Sequence, residues 1–214
     1  MSKLYLADPV TRTSHTYAEL IAELNQGPHQ IAAYFSANNA YDIFKAYILV
    51  ILCGVDITLL DSDFSEEEIT ALIADKELRG RMLTCQIESP ILDEQDLVQR
   101  LQQNSLGRIG FFTSGTTGLP KRVSHQINTL SRSVKFSDKH SDSIWAFAYN
   151  PTHIAGCQVF LQAIMNGNSI VNVFGLDRKS VLAELEKHLA SHISATPTFY
   201  RMLMPSQDAI NSVR

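Results

Sequence analysis

The chain has 214 residues, 45% of them apolar and 19% charged, which is enough for a sizeable core and excludes disorder over most of its length. A formal net charge of −4 without any long Lys/Arg run excludes a surface that tracks a phosphate backbone, so no nucleic-acid partner is expected. Three cysteines, Cys53, Cys85 and Cys157, are odd in number and contain no C-x-x-C pair, which argues against a disulfide framework and against a zinc site; no metal ligand set is expected.

The first ten residues, MSKLYLADPV, hold no apolar signal core, so a cytoplasmic protein is expected. Thr16 and Glu19 form a Thr-x-x-Glu capping box ahead of Leu20, Ile21 and Leu24, which predicts a helix ended by a left-handed Gly27. A strand over 30–35 follows. The next helix starts at Asn38 or Asn39, turns Ile43, Phe44, Tyr47, Ile48 and Ile51 inward and stops at Gly54. Its most apolar run, 47–55, is too short to span a bilayer, so no membrane span is expected. A strand at 55–60 precedes a second capping box, Ser65 with Glu68.

Further along, 81–87 reads as a strand and 93–103 as a surface helix with Leu97, Val98 and Leu101 inward. Strands are predicted at 108–113, 122–126, 144–148, 169–174 and 192–195. Between them lie helices begun by Ile127 and Ile154, a helix capped by Asp177 with Val181, Leu182, Leu185 and Leu189 inward, and a last helix at Thr196-Pro197. The lone Trp145, on an apolar strand, reads as core. Strands alternate with helices almost throughout, which predicts an α/β fold of mostly parallel sheets flanked by helices.

One segment is unusual. Thr113-Ser114-Gly115-Thr116-Thr117-Gly118-Leu119-Pro120-Lys121 follows directly on an apolar strand. Its glycines allow tight turns and close approach of N–H groups to an anion, its hydroxyls add donors, and Lys121 adds a compact positive charge. Together they suit a polyphosphate. A Walker loop would need Gly before the lysine and Ser or Thr after it, where this chain has Pro120 and Arg122; G-x-G-x-x-G is also missing. A kinase-type or GTPase-type loop and a dinucleotide site are therefore disfavoured. A plain Gly/Ser/Thr hairpin is the bland alternative.

This segment resembles the signature loop of the adenylate-forming (AMP-binding) enzymes: acyl- and aryl-CoA synthetases, luciferases and peptide-synthetase adenylation domains. His125, four residues after Lys121, matches a frequent family His, and its more economical reading is structural. Thr16-Tyr17-Ala18-Glu19-Leu20, the stretch 38–54 with Leu59-Leu60-Asp61, Asn150-Pro151-Thr152-His153-Ile154-Ala155-Gly156, and Ala195-Thr196-Pro197-Thr198 with Arg201-Met202-Leu203 are similar to successive family segments. Arg122 stands where the family usually has Gly.

The resemblance implies the N-terminal portion of the family's large domain, divided as 1–105, a first α/β portion, and 106–214, the phosphate loop and acyl-pocket portion. It implies that Thr113, Ser114, Gly115, Thr116, Thr117, Gly118 and Lys121 hold the β- and γ-phosphates of ATP, with Mg²⁺ bridging them, and that His153, Ile154 and Gly156 flank the acyl group or the thiol path. On spacing alone, His153 reads as a helix-start residue bonded to backbone. The implied reaction is adenylation of a carboxylic acid, releasing pyrophosphate, then transfer to a thiol of CoA or a carrier protein. Amino-acid-activating relatives usually place an Asp near 150–153, and none is there, which favours an acyl or aryl acid. The family's catalytic residues are expected beyond Arg214, so the chain is expected to be inactive alone and to pair with a C-terminal portion or self-associate through apolar surface. A non-catalytic nucleotide- or acyl-binding module and half of a split enzyme stand as alternatives.

Overall fold

The computed structural model describes residues 2–104, 106–113 and 120–204. Its secondary structure follows the local chemistry closely. Thr16 accepts a hydrogen bond from the Glu19 N–H while Glu19 reaches back to the Thr16 N–H, and helix α1 (Tyr17–Leu24) follows. Asn39 caps the long apolar helix α2 (Ala40–Cys53), which Gly54 ends in the left-handed region at φ 66°. Ser65 and Glu68 form the second reciprocal box and open α3 (Glu66–Leu72); the single turn α4 (Lys76–Arg79) follows it.

Two large sheets organise the chain. In the first, the strand order is β11 (His192–Ser194), β9 (Ile144–Phe147), β10 (Ser169–Asn172), β1 (Leu4–Asp8), β2 (Thr13–Thr16); all neighbours are parallel except the β1–β2 hairpin. In the second, the order is β4 (Tyr34–Phe35), β5 (Asp56–Leu59), β7 (Arg108–Thr113), β8 (Lys121–Gln126), parallel but for the last pair. Strands β3 (His29–Ala32) and β6 (Met82–Cys85) make a small antiparallel ribbon. Both large sheets draw strands from either side of residue 105, so the portions 1–105 and 106–214 share them.

The main core lies between the two sheets. Helix α2 meets α7 (Ile154–Ile164) there, with the Phe44 and Phe160 rings stacked at 4.5 Å and Phe147 edge-on to Phe44 at 5.0 Å. Helix α5 (Glu94–Gln103) adds Leu97 and Leu101, and the short α6 (Ile127–Ser131) adds Ile127 and Leu130. Strand residues alternate between faces: Leu6 and Ile170 point into this core, whereas Ala7 and Val171 point to a second cluster. There α8 (Arg178–His188) and α9 (Pro197–Leu203) cover the far face of the first sheet with Val181, Leu185 and Leu203. The expected α/β arrangement, with helices on both faces of a mostly parallel sheet, is the one observed.

Four local expectations are corrected. Gly27 does not cap α1; the helix stops at Leu24 with Asn25 in an ordinary helical conformation, because the Asn25 side chain is clamped to both backbone groups of Ile91. The single strand over 30–35 divides at Ala33, β3 pairing with β6 and β4 with β5. Leu189 is not an inward helix residue: it takes the left-handed cap at φ 52° and is 69% exposed. Cys53 and Cys85 are a disulfide, joining the end of α2 to β6 with Cα atoms 5.5 Å apart, while Cys157 is buried and free. The cysteine count excluded a framework of several bridges but could not see that chain reversal brings this one pair together.

Candidate active site at the converging strand ends

In the second sheet, β5 ends at Leu59 and its parallel neighbour β7 runs on to Thr113. From the first sheet, β9 leads through residues 148–152 into the start of α7. These strand ends meet around a pocket of about 350 Å³. Leu59, Phe64, Phe111, Phe112, Pro120 and Ile154 give it apolar walls, and Asp61, Thr113, Thr152 and His153 supply polar groups. A crevice outside the carboxyl ends of parallel strands is where α/β proteins bind ligands, since backbone there is free to turn toward them. A roomier groove of about 710 Å³ beside α5 is lined by different, mostly polar residues, among them the Lys3–Glu94 ion pair, and by none of the described loop residues.

Of the expected phosphate loop, the described residues are Thr113, Pro120 and Lys121. Thr113 and Lys121 are direct cross-strand partners, and the Thr113 hydroxyl donates to the Lys121 carbonyl at 3.2 Å. Thr113 and Pro120 therefore both reach the pocket. Ser114, Gly115, Thr116, Thr117 and Gly118 lie outside the described residues. Arg122 leaves β8 regular: it stays in register with Phe112, and its guanidinium donates to the Tyr34 hydroxyl at 3.4 Å. His125, half-buried on β8 near the Phe111 ring, is away from the pocket.

The turn that presents His153 is built from side chain–backbone bonds. The Asn150 carboxamide oxygen accepts from the Thr152 N–H at 2.8 Å and from the Thr152 hydroxyl at 2.7 Å. Its amide nitrogen donates to Asp61 at 3.1 Å. The buried Tyr47 hydroxyl on α2 donates to the Pro151 carbonyl. His153 then caps α7 with extended backbone but makes no side-chain cap; instead its Nε2 meets the same Asp61 oxygen at 2.9 Å. His153 and Ile154 thus line the pocket. Gly156 does not line it. That glycine is buried beneath the turn, where an added Cβ would fall within contact distance of the Asn150 carbonyl.

Asp61, which closes the family-like segment Leu59-Leu60-Asp61 and to which reading the sequence assigned no site role, stands at the centre of this site. Burial pushes its carboxyl up, but the Asp63 N–H and the His153 and Asn150 side chains together hold it below the ordinary carboxylate range. It is an anion at neutral pH. Besides that segment, the local signal was a charged residue directly after the strand predicted over 55–60. Trp145, read as core, is half-buried, donates to the Asn168 side chain at 3.0 Å and stacks on His192. Among the described residues no three His, Cys, Asp or Glu side chains converge on a common point.

Two mostly parallel-stranded sheets, helices packed between them and a pocket at their strand ends, reached by Thr113 and Pro120, define an α/β protein with a candidate ligand site. Residues 109–214 match the family model described as AMP-binding enzyme, so the resemblance to the adenylate-forming enzymes holds in sequence over that stretch and in fold over the whole chain. Two curated relatives, the 2-succinylbenzoate–CoA ligases of Bacillus subtilis (strain 168) and Staphylococcus epidermidis (strain ATCC 35984), are each 23% identical over 88% of this chain, which spans 45% and 42% of them respectively. Among solved structures, the O-succinylbenzoate CoA synthetase of Bacillus subtilis with its acyl-adenylate intermediate superimposes with a TM-score of 0.64 at 17% identity, over all of this chain and 50% of that one. ATP-bound MatB from Rhodopseudomonas palustris gives 0.64 at 16% identity, over 99% of this chain and 50% of that one. The chain therefore spans about half the length of the relatives it matches. No helix among the described residues is long and apolar enough to cross a membrane.

Proposed function

We propose that this chain is the phosphate-holding and acid-receiving portion of an AMP-forming acid–thiol ligase. A carboxylate attacks the α-phosphate of ATP, acyl-AMP forms and pyrophosphate leaves; the acyl group then passes to a thiol such as that of CoA, releasing AMP. The observation that supports this reading most is one pocket lined both by Thr113 and Pro120 of the phosphate loop and by His153 and Ile154 at the start of α7. Such transfer needs positioning and stabilisation of charge more than covalent participation by the protein. Thr113, Ser114, Gly115, Thr116, Thr117, Gly118 and Lys121 would hold the β- and γ-phosphates, and the apolar wall would take the acid.

Mg²⁺ accompanies ATP in this reading, and one solved relative is described as a complex with ATP and magnesium ion. In this reading the ion bridges the phosphates whose charge it neutralises. The absence of an acidic residue in 150–153 and the apolar walls support an acyl or aryl acid, the class to which the relatives' named substrate, 2-succinylbenzoate, belongs.

ATP–pyrophosphate exchange tests the reading. The chain is assayed with Mg²⁺·ATP and a panel of aryl and alkyl acids including 2-succinylbenzoate, and separately for Mg²⁺·ATP binding by calorimetry. Acid-dependent exchange is expected once the remaining half of the relatives' length is supplied as a second polypeptide. Nucleotide binding without exchange in that mixture assigns a binding module instead, and neither binding nor exchange overturns the reading.

A further inference from the structure

Asp61 places a carboxylate beside a loop read as the holder of phosphates. An anion there opposes anionic ligands unless its oxygens are already engaged. They are: one oxygen accepts from the Asp63 N–H at 3.2 Å, and the other from Asn150 at 3.1 Å and from His153 Nε2 at 2.9 Å. The Asp61 side chain is 15% exposed, that of His153 58%. Packing therefore fixes the aspartate, not the histidine. An imidazole so open to water samples several rotamers unless a bond selects one. Its bond to Asp61 is the only side-chain hydrogen bond His153 makes among the described residues.

We propose that Asp61 is the positioning residue of His153: its carboxylate, anchored by Asn150 and the Asp63 N–H, pins the imidazole at the pocket mouth through Nε2–H and leaves Nδ1 as the ring nitrogen that meets the phosphate-bearing ligand. A carboxylate can only accept, so Nε2 carries a proton in this pair whatever the state of Nδ1. The role rests on the reading of 113–121 as the phosphate loop.

The test uses the 214-residue chain labelled with ¹⁵N-histidine, with His153→Gln assigning the signal among the seven histidines. Without ligand, the His153 Nε2 proton is expected to be visible and protected from exchange in the wild type, weakened in Asp61→Asn and lost in Asp61→Ala, while His192 signals hold and report an intact fold. An unchanged Nε2 proton in Asp61→Ala overturns the proposal. Inorganic pyrophosphate with Mg²⁺ is then titrated. The wild-type His153 signals are expected to shift, and the Asp61 variants to bind at least about threefold more weakly, the effect of losing one exposed charge-assisted bond. Removal of a negative charge alone would tighten binding, so tighter binding by Asp61→Asn overturns the positioning role. A wild type with the protected proton but no response to pyrophosphate overturns the phosphate-loop reading, and with it the role, while leaving the bond itself measured.

Discussion

Thr113 and Lys121 stand directly opposite one another at the loop end of the β7–β8 hairpin, with the threonine hydroxyl bonded to the lysine carbonyl at 3.2 Å. The hairpin thus closes the loop to a fixed width, and the two residues that bound the loop reach solvent together.

Lys121 is exposed, and its replacement leaves the core untouched. Lys121→Ala is expected to weaken Mg²⁺·ATP binding about tenfold, the usual effect of losing one charged partner to a phosphate, with an unchanged urea midpoint. Calorimetry and equilibrium unfolding on the same sample check both halves.

The depressed Asp61 carboxyl fixes the sign of a pH effect. Its folded pKa lies below that of the unfolded chain, near 3.9, so its stabilisation is complete above that value and is lost as pH falls through the folded pKa. Asp61→Asn should be less stable than wild type at neutral pH, and the gap should close below about pH 4. Urea midpoints followed from pH 7 downward would show the two curves converging; parallel curves would contradict the assignment.

Gly156 lies against the Asn150 carbonyl without room for a methyl group. Gly156→Ala must push the turn away from α7, at a cost of about 2 kcal/mol or more in unfolding free energy. A change below a few tenths in a denaturant titration would mean that the turn yields freely.

Tyr47→Phe removes the buried donor to the Pro151 carbonyl. The carbonyl is left unpaired, so destabilisation of about 1–3 kcal/mol is expected. Because Pro151 precedes Thr152 and His153, the His153 ring signals should move as well, which NMR would detect.

Leu189 bears a side chain in a left-handed conformation that favours glycine, and that side chain is 69% exposed. Leu189→Gly should raise stability by about 0.5–1 kcal/mol, because strain is relieved while little apolar contact is lost. A lower melting temperature would show that the leucine packs in solution.

Local chemistry, readable in order along the chain, determined most of the elements. The reciprocal boxes at Thr16/Glu19 and Ser65/Glu68, the caps at Asn39, Asp177 and Thr196, and the stop at Gly54 involve residues a few positions apart, so neighbouring residue types suffice. The motif at 113–121 was legible for the same reason: it is a contiguous string of residue types. What tertiary structure alone decided joins residues far apart in sequence. The break of 30–35 into strands of different sheets, the Cys53–Cys85 pair and the burial of Gly156 under Asn150 depend on which segments fold back on one another. Asp61 and His153 are 92 residues apart and belong to connections from different sheets; a single aspartate carries no spacing signal, and only the convergence of the β5 and β9 strand ends turns it into part of a site.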